Sequence, residues 1–519
     1  KWGSGALAIA GSSTLSANPT IGLYAGTTQV YNGVVGQTPL GSGSIAVYPG
    51  ALLRIAGPNV GQVNLVSDGA GLAVLGLDYN PGPNGSLPNM TLANSGGPFD
   101  GTLAVNVYGF SRALDLATIG TGKTYLGAMA TSAYTAATLG VGSGNTYRLG
   151  TGGNNININA PVLIGSNAVQ IGAVNNGVAA QSIAMSNNGG TVFLNTPNSY
   201  TGGTTINTSA GLRIGALGAL GSGALTFNGG QIDVDAGFGL ARMTQPLTIP
   251  NTVNFTGDGI INNTATDTIF SGSFNLAPAG TASGGSTVRT LTVNNTAVNY
   301  LNGPVLSGAA GSTYFIKAGA GPLVLGNPAA YTPAFTQINT GVIVVNSDTS
   351  IPLSSQIVFN GGGLGFWNAV PLQPVYRYEV PVAAGSATFT TNRSYLLNGN
   401  ATFDIGAGLA LTQGASSVMN GAGTLTKGGM GSLLLNGINP VAALTINAGV
   451  VGVAADGSLG DTVANGAVTL SGGGSTPAAL LVTGNFATPR NLTLSAYGAV
   501  DVAAGVTLTT SGVNSGTFV

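Results

Sequence analysis

Three short motifs recur in the same order along this chain, and that ordered recurrence constrains the fold more than any single segment does. The fullest copy runs over residues 198–235, NSYTGGTTINTSAGLRIGALGALGSGALTFNGGQIDVD. Within it, residues 204–207, 210–214, 224–228 and 231–235 alternate apolar with small or polar side chains. Such alternation turns one face inward and the other toward water. Gly, Ser or Asn separates the runs, and none is spaced at 3.6 as a helix requires.

The first motif reads (Lys)-x-Gly-x-Gly-x-apolar-x-apolar. It occurs at Lys1-Trp-Gly-Ser-Gly-Ala-Leu-Ala-Ile9, Lys317-Ala-Gly-Ala-Gly-Pro-Leu-Val-Leu325 and Lys427-Gly-Gly-Met-Gly-Ser-Leu-Leu-Leu435, with a variant at 186–194. The second is Thr205-Ile-Asn-Thr-Ser-Ala-Gly-Leu212, Gln337-Ile-Asn-Thr-Gly-Val-Ile343 and Thr445-Ile-Asn-Ala-Gly-Val-Val451. The third is Pro39-Leu-Gly-Ser-Gly-Ser-Ile-Ala-Val47, Ala219-Leu-Gly-Ser-Gly-Ala-Leu-Thr-Phe227 and Pro352-Leu-Ser-Ser-Gln-Ile-Val-Phe359, with a looser copy at 458–470. Repeats of strands rather than helices predict a stacked coil, in which each turn covers the apolar face of its neighbours.

The segments 198–207, Gly211-Leu-Arg-Ile-Gly215, Ala219-Leu-Gly-Ser-Gly223 and Gly423-Thr-Leu-Thr-Lys427 resemble the autotransporter-associated β-strand repeat. The resemblance covers about half the chain and is sharpest at 186–235 and 421–470. It implies an all-β, right-handed parallel β-helix, exported to the extracellular space or the bacterial cell surface. It implies no catalytic activity. We read residues 1–519 as one continuous β-solenoid, with less regular, loop-bearing regions at 61–185 and 371–400. At roughly 20–25 residues per turn, the chain would make on the order of 22 turns.

Composition narrows the function classes. Charged residues are 5% of the chain, against a usual figure of about 25%. Net charge is −1, which offers no electrostatic footing for nucleic acid. No apolar run reaches the ~18 residues of a membrane-spanning helix, so no membrane insertion is expected. Cysteine and histidine are absent, which removes thiolate chemistry, the commonest general base and the commonest metal ligand. The chain begins at Lys1 and reads as a processed product whose export signal has been removed. With no His and a single Glu, Glu379, stability is expected to depend little on pH between about 5 and 9.

Candidate chemistry is thin. Asp233 and Asp235 share one strand face, a pairing that glycoside hydrolases use but that is usually a solvated pair. The 78–88 segment, DYNPGPNGSLP, is a surface loop between turns, with a contact loop as its functional reading and weak calcium binding at Asp78–Asn84 as a further one. We therefore expect no catalytic residues, no metal and no cofactor. Phe366, Trp367, Tyr376 and Tyr378 are the one concentration of aromatics and the candidate ligand contact.

The two ends carry the remaining expectation. Thr517-Phe-Val519 followed by Lys1-Trp-Gly-Ser-Gly reproduces the pattern of 424–431. Lys1, Trp2, Leu7 and Ile9 on one side, with Thr517, Phe518 and Val519 on the other, are expected to form an assembly interface. Copies would join head to tail into a homopolymeric filament or surface fibre. The alternatives are a passenger-type adhesin that binds a surface polysaccharide or host surface, and, with less support, a polysaccharide-degrading β-helix enzyme.

Overall fold

Parallel strands stack turn upon turn throughout the described chain. The computed structural model describes all residues except 11–19, 32–39, 41–42, 67–71, 91–99, 174–189, 235–245, 263–265, 278–286, 295–296, 308–312, 327–330, 346–349, 368–386, 462–465, 496 and 517–519. The fold is all-β, 2% helical, and forms a β-solenoid of about 17 turns. It divides into two compact units, Lys1–Arg242 with Ile249–Asn262, and Met243–Thr248 with Asn263–Val519.

In the first unit one parallel sheet runs from Ala6–Ala10 through Gly26–Tyr31, Ala51–Ile55, Val74–Leu77 and Thr102–Val105 to Thr204–Asn207, Leu225–Asn228 and Val253–Phe255. A second holds Tyr108–Phe110, Ser132–Tyr134, Asn155–Ile158, Gly190–Leu194, Ala210–Ile214, Gln231–Val234 and Gly259–Ile261. A short third sheet joins Ile21–Leu23, Ile45–Val47 and Val63–Leu65. In the second unit the longest sheet includes Gly363–Phe366, Ala401–Ile405, Thr424–Gly428, Ala443–Ile446, Val468–Leu470, Leu492–Leu494 and Asn514–Gly516. Beside it run Leu409–Gln413, Ser432–Leu435, Gly449–Val453, Ala478–Val482 and Gly498–Val502.

Register explains the repeat. Ile206 stacks on Phe227, and Phe227 on Phe255, with the two rings 5.4 Å apart. Like positions of successive turns thus bury one continuous apolar column, while Thr205, Thr226 and Asn254 line up on the outer face. In 152–159 the alternation resolves the same way. Ile156 and Ile158 are buried, and the Asn195 amide donates to Asn159 at 2.8 Å and to Asn157 at 3.4 Å.

Turn length departs from the expected 20–25 residues. Thr204 stacks on Leu225, 21 residues later, but Val169 stacks on Thr204, 35 residues later, and Ile357 on Tyr395, 38 residues later. Turns longer than expected bring the number to about 17. The 61–185 region carries regular strands of the same sheets, including Tyr125–Gly127, Thr146–Leu149 and Ala168–Ile171.

Glycine is obligatory at some corners. Gly221 has φ +55°, and a Cβ there would lie 2.0 Å from the Tyr200 carbonyl oxygen. No side chain fits that approach.

Truncation should separate the two faces of one strand. Phe227→Ala is expected to cost about 3–5 kcal/mol, seen as a lower urea midpoint by circular dichroism. Thr226→Ala, one residue away and facing outward, should change stability by no more than about 0.5 kcal/mol.

Candidate functional site

The Lys of the first motif points inward. Lys317 and Lys427 occupy core positions of their strands, after Phe315 and Leu425, and both are wholly buried. Each stacks on the Ile of the second motif, Lys317 on Ile338 and Lys427 on Ile446. The Lys317 ammonium donates to the carbonyls of Ala318 at 2.8 Å, Gly319 at 2.6 Å and Thr340 at 3.2 Å. Lys427 repeats the cage on Gly428 at 2.5 Å, Gly429 at 2.7 Å and Ala448 at 3.2 Å. Lys1 makes an incomplete version, donating to Gly3 at 2.5 Å and Ala25 at 3.2 Å. Three N–H donors meet three carbonyls that the corner leaves outside the ladder, which meets the hydrogen-bonding requirement of a buried ammonium.

The third motif is closed in a related way. In the copies that begin at 219, 352 and 458, a donor from a following turn reaches back to loop carbonyls. The Asn251 amide donates to Gly221 at 3.2 Å and Gly223 at 2.6 Å. Arg393 donates to the carbonyls of Ile351, Pro352 and Ser355. Arg490, wholly buried, pairs with Asp456 at 2.9 Å and donates to Gly460 at 3.1 Å and Asp461 at 3.0 Å.

Other acidic groups are engaged structurally. Asp233 accepts from Arg213 at 2.9 and 2.7 Å, and the same guanidinium lies 4.5 Å from the Phe193 ring centre. Asp235 lies outside the described residues. Asp78 pairs with Arg54 at 2.9 Å and accepts from Asn106 at 2.8 Å, so the 78–88 loop is anchored through its first residue. Among the described residues no cluster of three or more Asp or Glu is placed to hold a metal.

The expected aromatic contact is not one surface. Phe366 is 0% exposed and packs 6.2 Å from Phe389, so it belongs to the core. Its parity decides this: Gly363–Phe366 alternates with Leu364 and Phe366 inward, stacked on Phe403 and Ile405. Trp367 is half-buried, and its indole N–H donates to Asp404 at 2.9 Å. Tyr376 and Tyr378 lie outside the described residues, as do Thr517, Phe518 and Val519.

A different aromatic cluster is exposed. Trp2 stacks on Tyr24 at 4.1 Å and 9°, and Tyr24 on Tyr48 at 4.3 Å and 16°. Each ring sits at a corner: Tyr24 follows Ile21–Leu23, and Tyr48 follows Ile45–Val47. Hydrogen bonding to the Tyr48 hydroxyl raises the pKa of Tyr24. Trp2 is 78% exposed and stacks on Tyr24. Beside it, Ala6–Ala10 bonds to Gly26–Tyr31 along one edge, and among the described residues nothing bonds its other edge. Leu7 and Ile9 pair with the buried Thr28 and Val30 and so occupy inward positions, yet Leu7 is 40% exposed. The incomplete lysine cage, the stack and the edge strand all involve Lys1–Ile9.

No family model matches the chain, and no curated protein or solved structure matches it significantly.

Burial of the two lysines gives a physical reason for stability to depend on pH in the range where little dependence was expected. Burial lowers Lys317 from 10.5 to about 8; burial likewise lowers Lys427, despite the opposing pull of Asp404, to about 7. Between these values and 10.5 the unfolded chain holds more protons than the folded one, so stability rises with pH there. Above about pH 10 the trend reverses, because buried Tyr125, Tyr200 and Tyr331 keep protons that their unfolded forms lose. Urea midpoints should therefore climb from about pH 7 to 9.5, and Lys427→Met should flatten the climb. An unchanged slope in that variant would remove Lys427 from the account.

Proposed function

We propose that this protein is a structural, exported β-solenoid subunit of the bacterial surface or extracellular space, whose copies join head to tail into a filament. The observation that carries the reading is the edge strand Ala6–Ala10. Among the described residues nothing bonds its outer edge, which carries backbone N–H and C=O groups and the inward-facing Leu7 and Ile9. Soluble proteins usually blunt such an edge with charge, proline or a covering element. Here the strand reads Ala-Leu-Ala-Ile-Ala, without charge or proline. A contact between two different edges is heterologous, and unless it closes into a ring it propagates. Export to a surface rests on the resemblance to the autotransporter-associated repeat. The buried Lys, Arg and Asn devices support the structural reading, since each is spent on corner carbonyls.

A second reading, an adhesin that binds a polysaccharide, is favoured by the exposed Trp2 stacked on Tyr24. Aromatic faces of this kind combine apolar area with a polar rim.

Negative-stain electron microscopy of the purified chain should show fibres. Leu7→Asp should abolish them while leaving the β-sheet circular dichroism unchanged, because it places a charge at the open end of the apolar column. Fibres from the variant, or particles of single size from the parent chain at high concentration, would refute assembly through this edge. Trp2→Ala should keep the fibres and, on the second reading, lose retention on a polysaccharide column.

A further inference from the structure

We infer that the 78–88 loop is a plug on the starting edge of the second sheet, in which the Asn80 side chain stands in for a strand residue opposite Phe110. Among the described residues that sheet begins with Tyr108–Phe110, which pairs with Ser132–Tyr134 on one side only. In a parallel ladder the residue facing Phe110 would donate to the carbonyl before it and accept from the amide after it. The Asn80 carboxamide does both. Its Nδ2 donates to the Gly109 carbonyl at 2.8 Å, and its Oδ1 accepts from the Ser111 amide at 3.3 Å. The same oxygen accepts from the Ser111 hydroxyl at 3.4 Å and from the Gly82 amide at 3.0 Å. One side chain thus meets the two backbone groups that a preceding strand would have met.

The sequence explains why a side chain and not the backbone fills this place. Val105 stacks on Leu77, and the chain then runs from Val105 to Phe110. The same step from Leu77 arrives at Gly82, which lies between Pro81 and Pro83. Proline has no N–H to give to a ladder, and Gly82 has φ +71°, far from the extended region. The backbone therefore cannot form a strand here, and the carboxamide one residue before Pro81 supplies the missing bridge.

The loop is held in place from both neighbouring turns. Asp78 pairs with Arg54 of the turn before at 2.9 Å and accepts from Asn106 of the turn after at 2.8 Å. Arg112 donates to the Pro83 carbonyl at 2.8 Å, and the Tyr79 hydroxyl donates to the Ser86 carbonyl at 3.2 Å. The loop also folds tightly on itself, since a Cβ on Gly85 would lie 1.8 Å from the Pro81 carbonyl oxygen. An uncovered edge strand is a template for pairing with another chain. With Asn80 on its amide and carbonyl and two prolines beside it, the edge of Tyr108–Phe110 is closed to strand addition.

Hydrogen exchange of the full chain, resolved to single amides by mass spectrometry, tests the plug. Asn80→Ala should speed exchange at the Ser111 amide by about tenfold, the loss of one hydrogen-bond acceptor. The Thr135 amide, which donates to the Phe110 carbonyl at 2.8 Å from the following turn, should keep the parent rate and so show that the ladder beyond the edge is intact. Asn80→Asp retains the acceptor and should keep Ser111 slow. Unchanged exchange at Ser111 in Asn80→Ala, equal acceleration at Thr135, or fast exchange at Ser111 in Asn80→Asp would each overturn the inference.

Discussion

Everything in this structure depends on the backbone ladder between successive parallel turns. Each strand's N–H and C=O groups are satisfied by the turn before and the turn after. A parallel ladder can hold only if like residues stack on like, so the interior becomes a column of apolar side chains such as Ile206, Phe227 and Phe255. It also fixes where the difficulty lies. The strands satisfy one another, but the corners turn carbonyls away from the ladder.

The protein resolves the corners with buried donors. Lys317 and Lys427 each carry an ammonium into the coil and place it under three carbonyls. Asn251, Arg393 and Arg490 do the equivalent for the loops of the third motif. The few cations of the chain are thus concentrated on structural work. A buried charge that is fully hydrogen-bonded tolerates its desolvation, but at a shifted pKa, and it makes the fold sensitive to proton concentration near neutrality.

The same ladder creates an obligation at any turn that lacks a neighbour. Among the described residues Ala6–Ala10 and Gly498–Val502 each end a sheet, and their inward-facing Leu7 and Val502 are 40% and 39% exposed. Beside the first, the Trp2–Tyr24–Tyr48 stack extends along three turns at a corner.

The parallel all-β coil was legible in the residues, because period-two alternation, glycine punctuation and three motifs in constant order leave few other ways to bury the apolar face. The repeat pattern also singled out Lys1, Trp2, Leu7 and Ile9; the structure shows Trp2 exposed and Leu7 and Ile9 on an edge strand among the described residues. Other features were decided only by tertiary structure. The number of turns depends on how many residues separate stacked positions, such as the 35 between Val169 and Thr204. Lysine in the first motif is recognisable as a pattern, but its inward aim follows only when a corner presents three carbonyls to it. Phe366 looked like part of a surface cluster with Trp367, yet strand parity sends it to the core, a signal already present in the alternation of Gly363–Phe366. The stack of Trp2, Tyr24 and Tyr48 escaped notice because its members lie about one turn apart in the chain. Sequence specifies which residues alternate and repeat; the pitch of the coil specifies which of them meet.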